Sequence, residues 1–230
     1  AQAADAPVIL SPITCRESLL ELERARQRGQ SAYATTCPQY LLLDDSVYYG
    51  GENAGRYVCS PPLRDRSQQE PLWKALRRDS VQAVASSHRA FTLRQKETDP
   101  QDFTAIPAGL PGAENRGELL YTFGVSARRL APEDLCRVLS EAPARLCGLY
   151  PKKGVLQPGS DADIVVYDPR ASHVIRADDS LSRSDYNPYE GFVTSGGVTQ
   201  VYLRGRLAVD QGAVLPAPDG RYLPRGKNSL

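Results

Sequence analysis

The side chains best suited to proton transfer or metal binding are two histidines, His88 and His173, in a chain of 230 residues. A hydrolytic metal centre usually draws several neutral imidazoles, so a site with several histidines from this chain alone is excluded. His88 follows Ser87 at the end of an apolar run, whereas His173 lies within a predicted strand. The pattern around His173 favours a surface strand residue over a metal ligand.

A second candidate is a pair of aspartates, Asp161 and Asp163, with one residue between them. Their spacing places both carboxylates on one face of a turn–strand junction, where they could bind a cation or shape the turn. Aspartates in turns usually accept hydrogen bonds from nearby backbone, so the turn role is favoured. The Gly196-Gly197 pair is too short to surround a phosphate and predicts a hairpin turn.

The cysteines favour a reducing compartment. They are odd in number, no two have C-x-x-C spacing, and most lie in apolar or periodic segments. The pattern predicts buried free thiols rather than disulfides or a metal cluster, and therefore a cytoplasmic protein. The five are Cys15, Cys37, Cys59, Cys136 and Cys147.

Charge and hydropathy exclude several classes of partner. The 28 Lys and Arg residues and 27 Asp and Glu residues give a formal charge of +1, which is no basis for a nucleic-acid surface. No apolar run approaches the roughly 20 residues that span a bilayer, so no membrane partner is expected. The chain lacks methionine and begins with Ala1, from which we expect a processed or cut chain.

The elements that must position these residues begin with alternating strands and helices. Residues 8–10 predict a strand, and Thr14 with Glu17 forms a capping box for a helix that ends at Gly29. Residues 31–36 predict a second strand. The apolar face of the helix consists of Leu19, Leu20 and Leu22.

The alternation continues with a second box, Ser67 to Glu70, which predicts a helix before a strand at residues 81–85. The helix carries Leu72, Trp73 and Leu76. Further helical patterns cover residues 118–123, 132–139 and 144–149. Strand–helix alternation predicts a parallel α/β architecture, although a (β/α) barrel closes with about eight strands and only about three such units are present.

The pattern changes after Gly154 to short apolar runs separated by turn residues, which predicts a small antiparallel β module. These runs are residues 163–167, 174–175, 198–203 and 207–209. From Pro216 onward, proline, glycine and polar residues predict an extended arm with little core of its own.

Several blocks, in this order and spacing, resemble the dihydropyrimidinase/hydantoinase branch of the amidohydrolases. The blocks are Thr36-Cys37-Pro38-Gln39-Tyr40, Ser60-Pro61-Pro62-Leu63-Arg64, Gln95-Lys96-Glu97, Asp102-Phe103-Thr104, Gly148-Leu149-Tyr150-Pro151, Gly159-Ser160-Asp161-Ala162-Asp163 and Tyr186-Asn187-Pro188-Tyr189. The resemblance covers nearly the whole chain. It implies an α/β fold in which residues 1–153 form the C-terminal part of a TIM (β/α) barrel, 154–215 a small antiparallel β-sandwich module and 216–230 a C-terminal arm.

The resemblance also implies a hydrolase that opens dihydropyrimidine or hydantoin rings with two divalent metals, usually zinc. In the family, the early barrel supplies an H-x-H pair, a carboxylated lysine and another histidine, and that region is absent here. Family members usually form tetramers to which C-terminal arms contribute, and Tyr222-Leu223-Pro224-Arg225-Gly226 resembles such an arm. We therefore expect a homo-oligomer or association with the missing barrel part.

Two family metal ligands fall on positions that differ in this sequence. The histidine after the sixth barrel strand aligns with Pro12, which has no ligand atom, and the aspartate after the eighth aligns with Ser87. That aspartate is also the general base, a role that a serine hydroxyl cannot fill because its pKa is far above neutral. His88 is only a remote metal candidate, and Arg89 adds positive charge beside it.

A third difference concerns substrate binding. The family's Ile-Pro-Asn-Gly supplies an asparagine amide to the ring, whereas this chain has Ala108 in Ile-Pro-Ala-Gly. Ser60 corresponds to the serine whose main chain binds the ring amide, so Ser60 is the remaining candidate for substrate binding.

These differences favour a catalytically silent fragment or pseudoenzyme that has an assembly role and binds no cofactor. The alternative is a metal-dependent cyclic amidohydrolase whose early barrel and most metal ligands come from upstream sequence or another chain. Loss of a base and a ligand costs several kcal/mol of transition-state stabilisation, so the alternative needs compensation elsewhere. A decaying gene product without selected function is the third hypothesis.

Overall fold

The computed structural model describes residues 1–97, 102–216 and 220–230. Its first sheet consists of strands β1 (Val8–Leu10), β2 (Ala32–Thr36) and β3 (Ala83–Val84). All three strands are parallel, and β2 lies between β1 and β3. Four of the five β2 residues are buried, as is typical of a parallel strand with both faces covered. The predicted parallel α/β arrangement is confirmed, while its identity as part of a barrel stays a prediction.

Helix α1 (Arg16–Gln27) follows β1, but the predicted capping box at its start is wrong. Cys15 occupies the N-cap without a capping hydrogen bond from its side chain. Thr14 is buried instead, and its hydroxyl accepts a hydrogen bond from Arg64 Nε at 3.2 Å. The Thr14 side chain therefore makes a tertiary hydrogen bond with Arg64 instead of capping the helix as the local pattern had predicted.

The end of α1 lies where the sequence predicts it, whereas the predicted apolar face is only partly buried. Gly29 adopts a φ of +81°, the left-handed conformation that commonly stops a helix. Leu19 and Leu22 are buried against the rest of the core, whereas Leu20 is 40% exposed. The prediction that this leucine face packs against the rest of the protein is therefore wrong for Leu20.

Helix α3 (Gln69–Arg77) buries its predicted apolar face, but its start also differs from the expected capping box. A short 3-10 helix at Arg66–Gln68 precedes it, and the Asp65 carboxylate accepts a hydrogen bond from Ser67 N at 2.8 Å. Trp73 is 2% exposed, and its Nε1 donates to Leu41 O at 3.2 Å. Burial of one such large side chain contributes roughly 1.5–3 kcal/mol.

The other helical segments are short. The α-helices are α2 (Pro38–Leu42), α4 (Leu93–Lys96), α5 (Arg116–Leu120), α6 (Pro132–Cys136) and α7 (Ala142–Leu146). Single π-helical turns at Tyr121–Ser126 and Arg137–Glu141 continue α5 and α6. Further 3-10 helices lie at Gln2–Ala4, Asp45–Tyr49, Gly51–Tyr57, Phe103–Ala105 and Ala177–Asp179.

The second sheet is antiparallel and has the order β4-β5-β6-β7. Its strands are β4 (Ile164–Val174), β5 (Val193–Leu203), β6 (Arg206–Asp210) and β7 (Ala213–Val214). Two of the predicted runs merge into β4, because the chain continues extended through Pro169 with a shift in pairing. Within the described residues this is the only antiparallel sheet. The second sheet of the predicted β-sandwich therefore stays a prediction.

Gly196 and Gly197 lie inside β5, so the predicted hairpin turn there is wrong. Gly196 has a φ of +78°, and a Cβ at this position would lie 2.3 Å from the Tyr167 ring. The Tyr167 ring is held in place by Tyr121, whose ring centroid is 4.6 Å away. The glycine is needed because the aromatic side chain of the paired strand crosses its backbone.

The antiparallel sheet is joined to the helices by hydrogen bonds and by the C-terminal arm. Thr122 Oγ1 donates to Ser195 O at 3.2 Å and accepts from Ser195 N at 3.0 Å. In the arm, Gly226 N donates to Gly148 O at 2.7 Å. Residues 217–219 of the predicted arm lie outside the described residues, and the boundaries at 153 and 215 stay predictions.

All five cysteines are free thiols, as expected. Cys37 and Cys59 are buried, whereas Cys136 and Cys147 are exposed, so burial is a wrong prediction for these two. Within the described residues, no helix is both long and apolar enough to cross a membrane.

Candidate functional site

The two positions at which the resemblance implies metal ligands lie at one edge of the parallel sheet. Pro12 follows the end of β1, and Ser87 follows the end of β3. Because the strands are parallel, their carboxyl ends meet at the same edge, where α/β proteins commonly place functional residues. The backbone after β1 is fixed by the Thr36 hydroxyl, which donates to Ile13 O at 2.8 Å. Ser87 is exposed and adopts a φ of +48°.

His88 binds a neighbouring loop through one of its ring nitrogens. Its Nδ1 accepts hydrogen bonds from Gly112 N at 3.2 Å and Ala113 N at 3.3 Å. Its backbone also forms a parallel bridge with Leu110. The Nδ1 lone pair is therefore already used by these two backbone amides.

The carboxyl edge does not fit the two-metal centre that the resemblance implies. Pro12 offers no lone pair, and Ser87 offers only a neutral hydroxyl where a carboxylate would be needed. In the part of the chain that the structure describes, no three His, Cys, Asp or Glu side chains converge to hold a metal ion.

The structure does contain a cleft of about 970 Å³ beside the two substrate-binding positions. Ser60 and Ala108 both line it, so the two segments that the resemblance assigned to ring recognition meet at one cavity. Val58, Phe103 and Ile106 supply much of its apolar wall. A volume of this size suits a small organic ligand.

Two tyrosine hydroxyls hold the backbone that follows Ser60. Tyr40 OH donates to Pro61 O at 2.8 Å, and Tyr48 OH accepts from Leu63 N at 2.9 Å. Burial raises the pKa values of both tyrosines and of the Cys59 thiol. These groups therefore stay neutral near pH 7 and supply hydrogen bonds rather than an anionic nucleophile.

Lys96 is a buried lysine beside the cleft that the sequence reasoning did not single out. It is 1% exposed, and its Nζ donates to Val58 O and to Pro107 O at 2.7 Å each. Burial lowers its pKa to about 8. Its place in the Gln95-Lys96-Glu97 block was the available signal, but the block alone says nothing about which backbone segments the amine joins.

The other sequence candidates have structural partners. Lys152 and Lys153 each place Nζ 2.9 Å from an Asp161 oxygen, and Lys153 also pairs with Asp163. His173 is exposed on β4 as expected, but its Nε2 lies 3.1 Å from Glu118 Oε2 of α5. It therefore links the antiparallel sheet to the helices, a contact that its local pattern did not indicate.

Arg116 is a further residue without a predicted role. Its Nη1 donates to Val84 O at 3.3 Å, which ties α5 to the end of β3. Burial lowers the pKa of this guanidinium from its usual value. The bond fixes the strand end that leads to Ser87.

Comparison with known proteins gives consistent similarities. The model of the amidohydrolase family matches residues 31–208. The chain is 40% identical over 228 residues to a D-hydantoinase of Streptomyces coelicolor and 38% identical over 225 residues to a D-phenylhydantoinase of Escherichia coli O127:H6. These alignments cover 98% and 97% of this chain but 49% of each relative, so the chain spans about half the length of the curated relatives it matches.

A solved structure shows the same similarity in three dimensions. A D-hydantoinase crystal structure superposes with a TM-score of 0.95 at 36% identity, covering 100% of this chain and 50% of that one. A dihydropyrimidinase from Brevibacillus agri NCHU1002 gives a TM-score of 0.90 at 36% identity, with coverage of 93% and 47%.

Proposed function

Because this chain belongs to the amidohydrolase family, in its hydantoinase and dihydropyrimidinase branch, we propose that it is a non-hydrolytic homologue with a role in assembly. In this proposal the chain retains the cleft at Ser60 for cyclic amides, binds no metal of its own and associates into a homo-oligomer. The tetramer that the resemblance implies is the expected form.

The observation that carries the proposal is the pair of residues at the carboxyl edge, Pro12 and Ser87. Activation of water on a metal requires ligands with lone pairs and a base whose pKa lies near the working pH. Pro12 has no lone pair to offer, and the Ser87 hydroxyl has a pKa far above the working pH, so it cannot be the base. Nδ1 of the His88 imidazole already accepts two backbone hydrogen bonds. Removal of such groups typically lowers rates by orders of magnitude.

The cleft supports the ligand-binding part of the proposal. Ser60 and the backbone around it can donate and accept hydrogen bonds, and the apolar wall can cover a ring. Ala108 contributes no side-chain hydrogen bond, so the expected affinity for a ring amide is lower than with an asparagine there.

The alternative function is a metal-dependent cyclic amidohydrolase in which further sequence or a second chain supplies the other ligands. The half-length coverage of the relatives favours keeping this candidate. Under this alternative, metal binding and turnover appear when the further sequence or second chain is added. Under the proposal of a silent homologue, adding it produces neither.

Metal content and turnover decide between the two. The purified chain is incubated with zinc, dialysed, and assayed for bound zinc and for opening of dihydrouracil and hydantoin. We expect no stoichiometric zinc and no ring opening. One or two zinc ions per chain together with turnover would overturn the proposal in favour of the hydrolase.

A gain-of-ligand variant tests the argument about the two positions directly. Pro12→His together with Ser87→Asp restores an imidazole and a carboxylate, and we expect measurable zinc binding where the parent has none. Pro12→His together with Ser86→Asp is the matched control, because it keeps the imidazole and adds the same charge one residue earlier in the same loop. Equal zinc binding by this control would show that charge alone is responsible.

A further inference from the structure

Lys96 connects the two backbone segments that form the ligand side of the cleft. Its Nζ donates to Val58 O, two residues before Ser60, and to Pro107 O, one residue before Ala108, at 2.7 Å in each case. Gly109 N also donates to Val58 O, at 3.0 Å. The three bonds converge on the point where the two segments meet.

We infer that Lys96 is a positioning residue that holds the segments bearing Ser60 and Ala108 at the spacing a cyclic amide requires. The inference rests on the proposed ring-binding function of the cleft. Lys96 itself does not need to contact the ring, because it acts through the carbonyls of Val58 and Pro107.

Lysine is suited to this role because an ammonium has three N–H donors and can serve two carbonyls at once. Charge-assisted hydrogen bonds of this length are stronger than neutral ones. The Phe91 ring, with its centroid 5.4 Å from Nζ, also stabilises the positive charge. Methionine would fill a similar volume but leave two partly buried carbonyls without this donor.

The backbone that carries Lys96 is fixed independently of the cleft. The Thr92 hydroxyl accepts from Gln95 N at 3.3 Å and the Gln95 side chain accepts from Thr92 N at 2.8 Å, which completes a capping box for α4. Leu93 N donates to Asp185 Oδ1 at 2.7 Å, so α4 is also tied to a distant loop. Lys96 therefore approaches the two segments from an anchored helix.

The experiment measures the segment geometry and ligand binding in the same variants. In Lys96→Met, NMR-detected hydrogen exchange at the Gly109 amide is expected to accelerate about tenfold or more, because the Val58 carbonyl loses its second donor. Calorimetric affinity for hydantoin is expected to fall by a similar factor. Lys74→Met, at an exposed lysine, and Leu22→Ala, in the core beneath α1, are the controls for charge loss and for general destabilisation.

Chemical rescue separates positioning from packing. In Lys96→Ala, added propylammonium, which has N–H donors, is expected to restore slow Gly109 exchange and hydantoin affinity, whereas tetramethylammonium, which has none, is not. Should Lys96→Met fail to fold, recovery of folded Lys96→Ala by propylammonium alone supports the same conclusion.

Unchanged exchange in Lys96→Met, equal acceleration in Leu22→Ala, or equal rescue by both ammonium ions would overturn the inference. If the parent chain binds neither hydantoin nor dihydrouracil, the proposed function fails. The exchange measurements then still decide whether Lys96 positions the two segments.

Discussion

Ser87 shows a mismatch between its side chain and its backbone. A φ of +48° is uncommon for residues with a Cβ, and aspartate and asparagine adopt it more readily than serine. The loop after β3 therefore has a conformation that suits the aspartate that the resemblance implies at this position. For this reason Ser87→Asp is expected to be accepted without rearrangement of the loop.

At Asp161, a carboxylate that could have been a metal ligand is instead paired with two lysines. The hydrogen bonds from Lys152 and then Lys153 lower the pKa of Asp161 to about 2. In an unfolded chain the pKa of an aspartate is about 3.9. The native state therefore binds fewer protons than the unfolded state between these two values.

We predict that Asp161 stabilises the fold in a pH-dependent way. Its contribution is fully present above about pH 4 and is lost as pH falls toward the native pKa of about 2, because only the ionised form pairs with the lysines. The difference in unfolding free energy between the parent and Asp161→Asn should shrink over this range, as measured by urea titration at each pH. In a Lys153→Met background the pH dependence should weaken, and a difference that is constant from pH 6 to pH 2 would contradict the role.

At the scale of elements, the sequence predicted where strands and helices lie better than how they begin and pair. Hydrophobic runs located β1, β2 and β3 because burial of apolar residues dominates their stability. The predicted capping box at Thr14 failed because the Thr14 hydroxyl accepts a hydrogen bond from Arg64, 50 residues away in the sequence. The box at Ser67 failed for a local reason, because the Asp65 carboxylate caps a 3-10 helix through Ser67 N.

In the candidate site, too, local features could be predicted from the sequence and contacts between distant segments could not. The substituted positions Pro12 and Ser87 could be identified from motifs, since each motif lies within one short segment. The link made by Lys96 could not, because Val58 and Pro107 are 38 and 11 residues away in sequence. Contacts between distant segments depend on the folded arrangement, as does the contact of His173 with Glu118.

The crossing of Tyr167 over Gly196 gives a prediction for β5. Gly196→Ala adds about 1–2 kcal/mol of left-handed strain and, because its Cβ would lie 2.3 Å from the Tyr167 ring, about 1–3 kcal/mol of overlap. Gly212→Ala is the matched control, since Gly212 has a φ of +81° but a Cβ there would have no atom of the described residues within 4 Å. Denaturant unfolding should show a clearly larger loss for Gly196→Ala, and equal losses would show that the ring moves aside freely.

At the scale of the whole molecule, the antiparallel sheet exposes apolar side chains on one face. Cross-strand pairing aligns Val165 with Val201, Val201 with Val209, and Val209 with Val214, so these four side chains form a valine row across all four strands. Val165 is 59% and Val214 66% exposed. Contiguous apolar surface of this kind favours association with another protein surface.

We predict that the 25.2 kDa chain self-associates through the valine row. Val165→Lys combined with Val214→Lys places two charges at the ends of the row, and burial of unpaired charges in an interface is costly. Sedimentation velocity should show an oligomer for the parent and at least about a tenfold weaker association for the double variant. Leu181→Lys, at an 80% exposed apolar residue outside the sheet, should leave association unchanged. A parent chain that sediments as a monomer at all concentrations, or an equal effect of Leu181→Lys, would exclude the valine row as the contact.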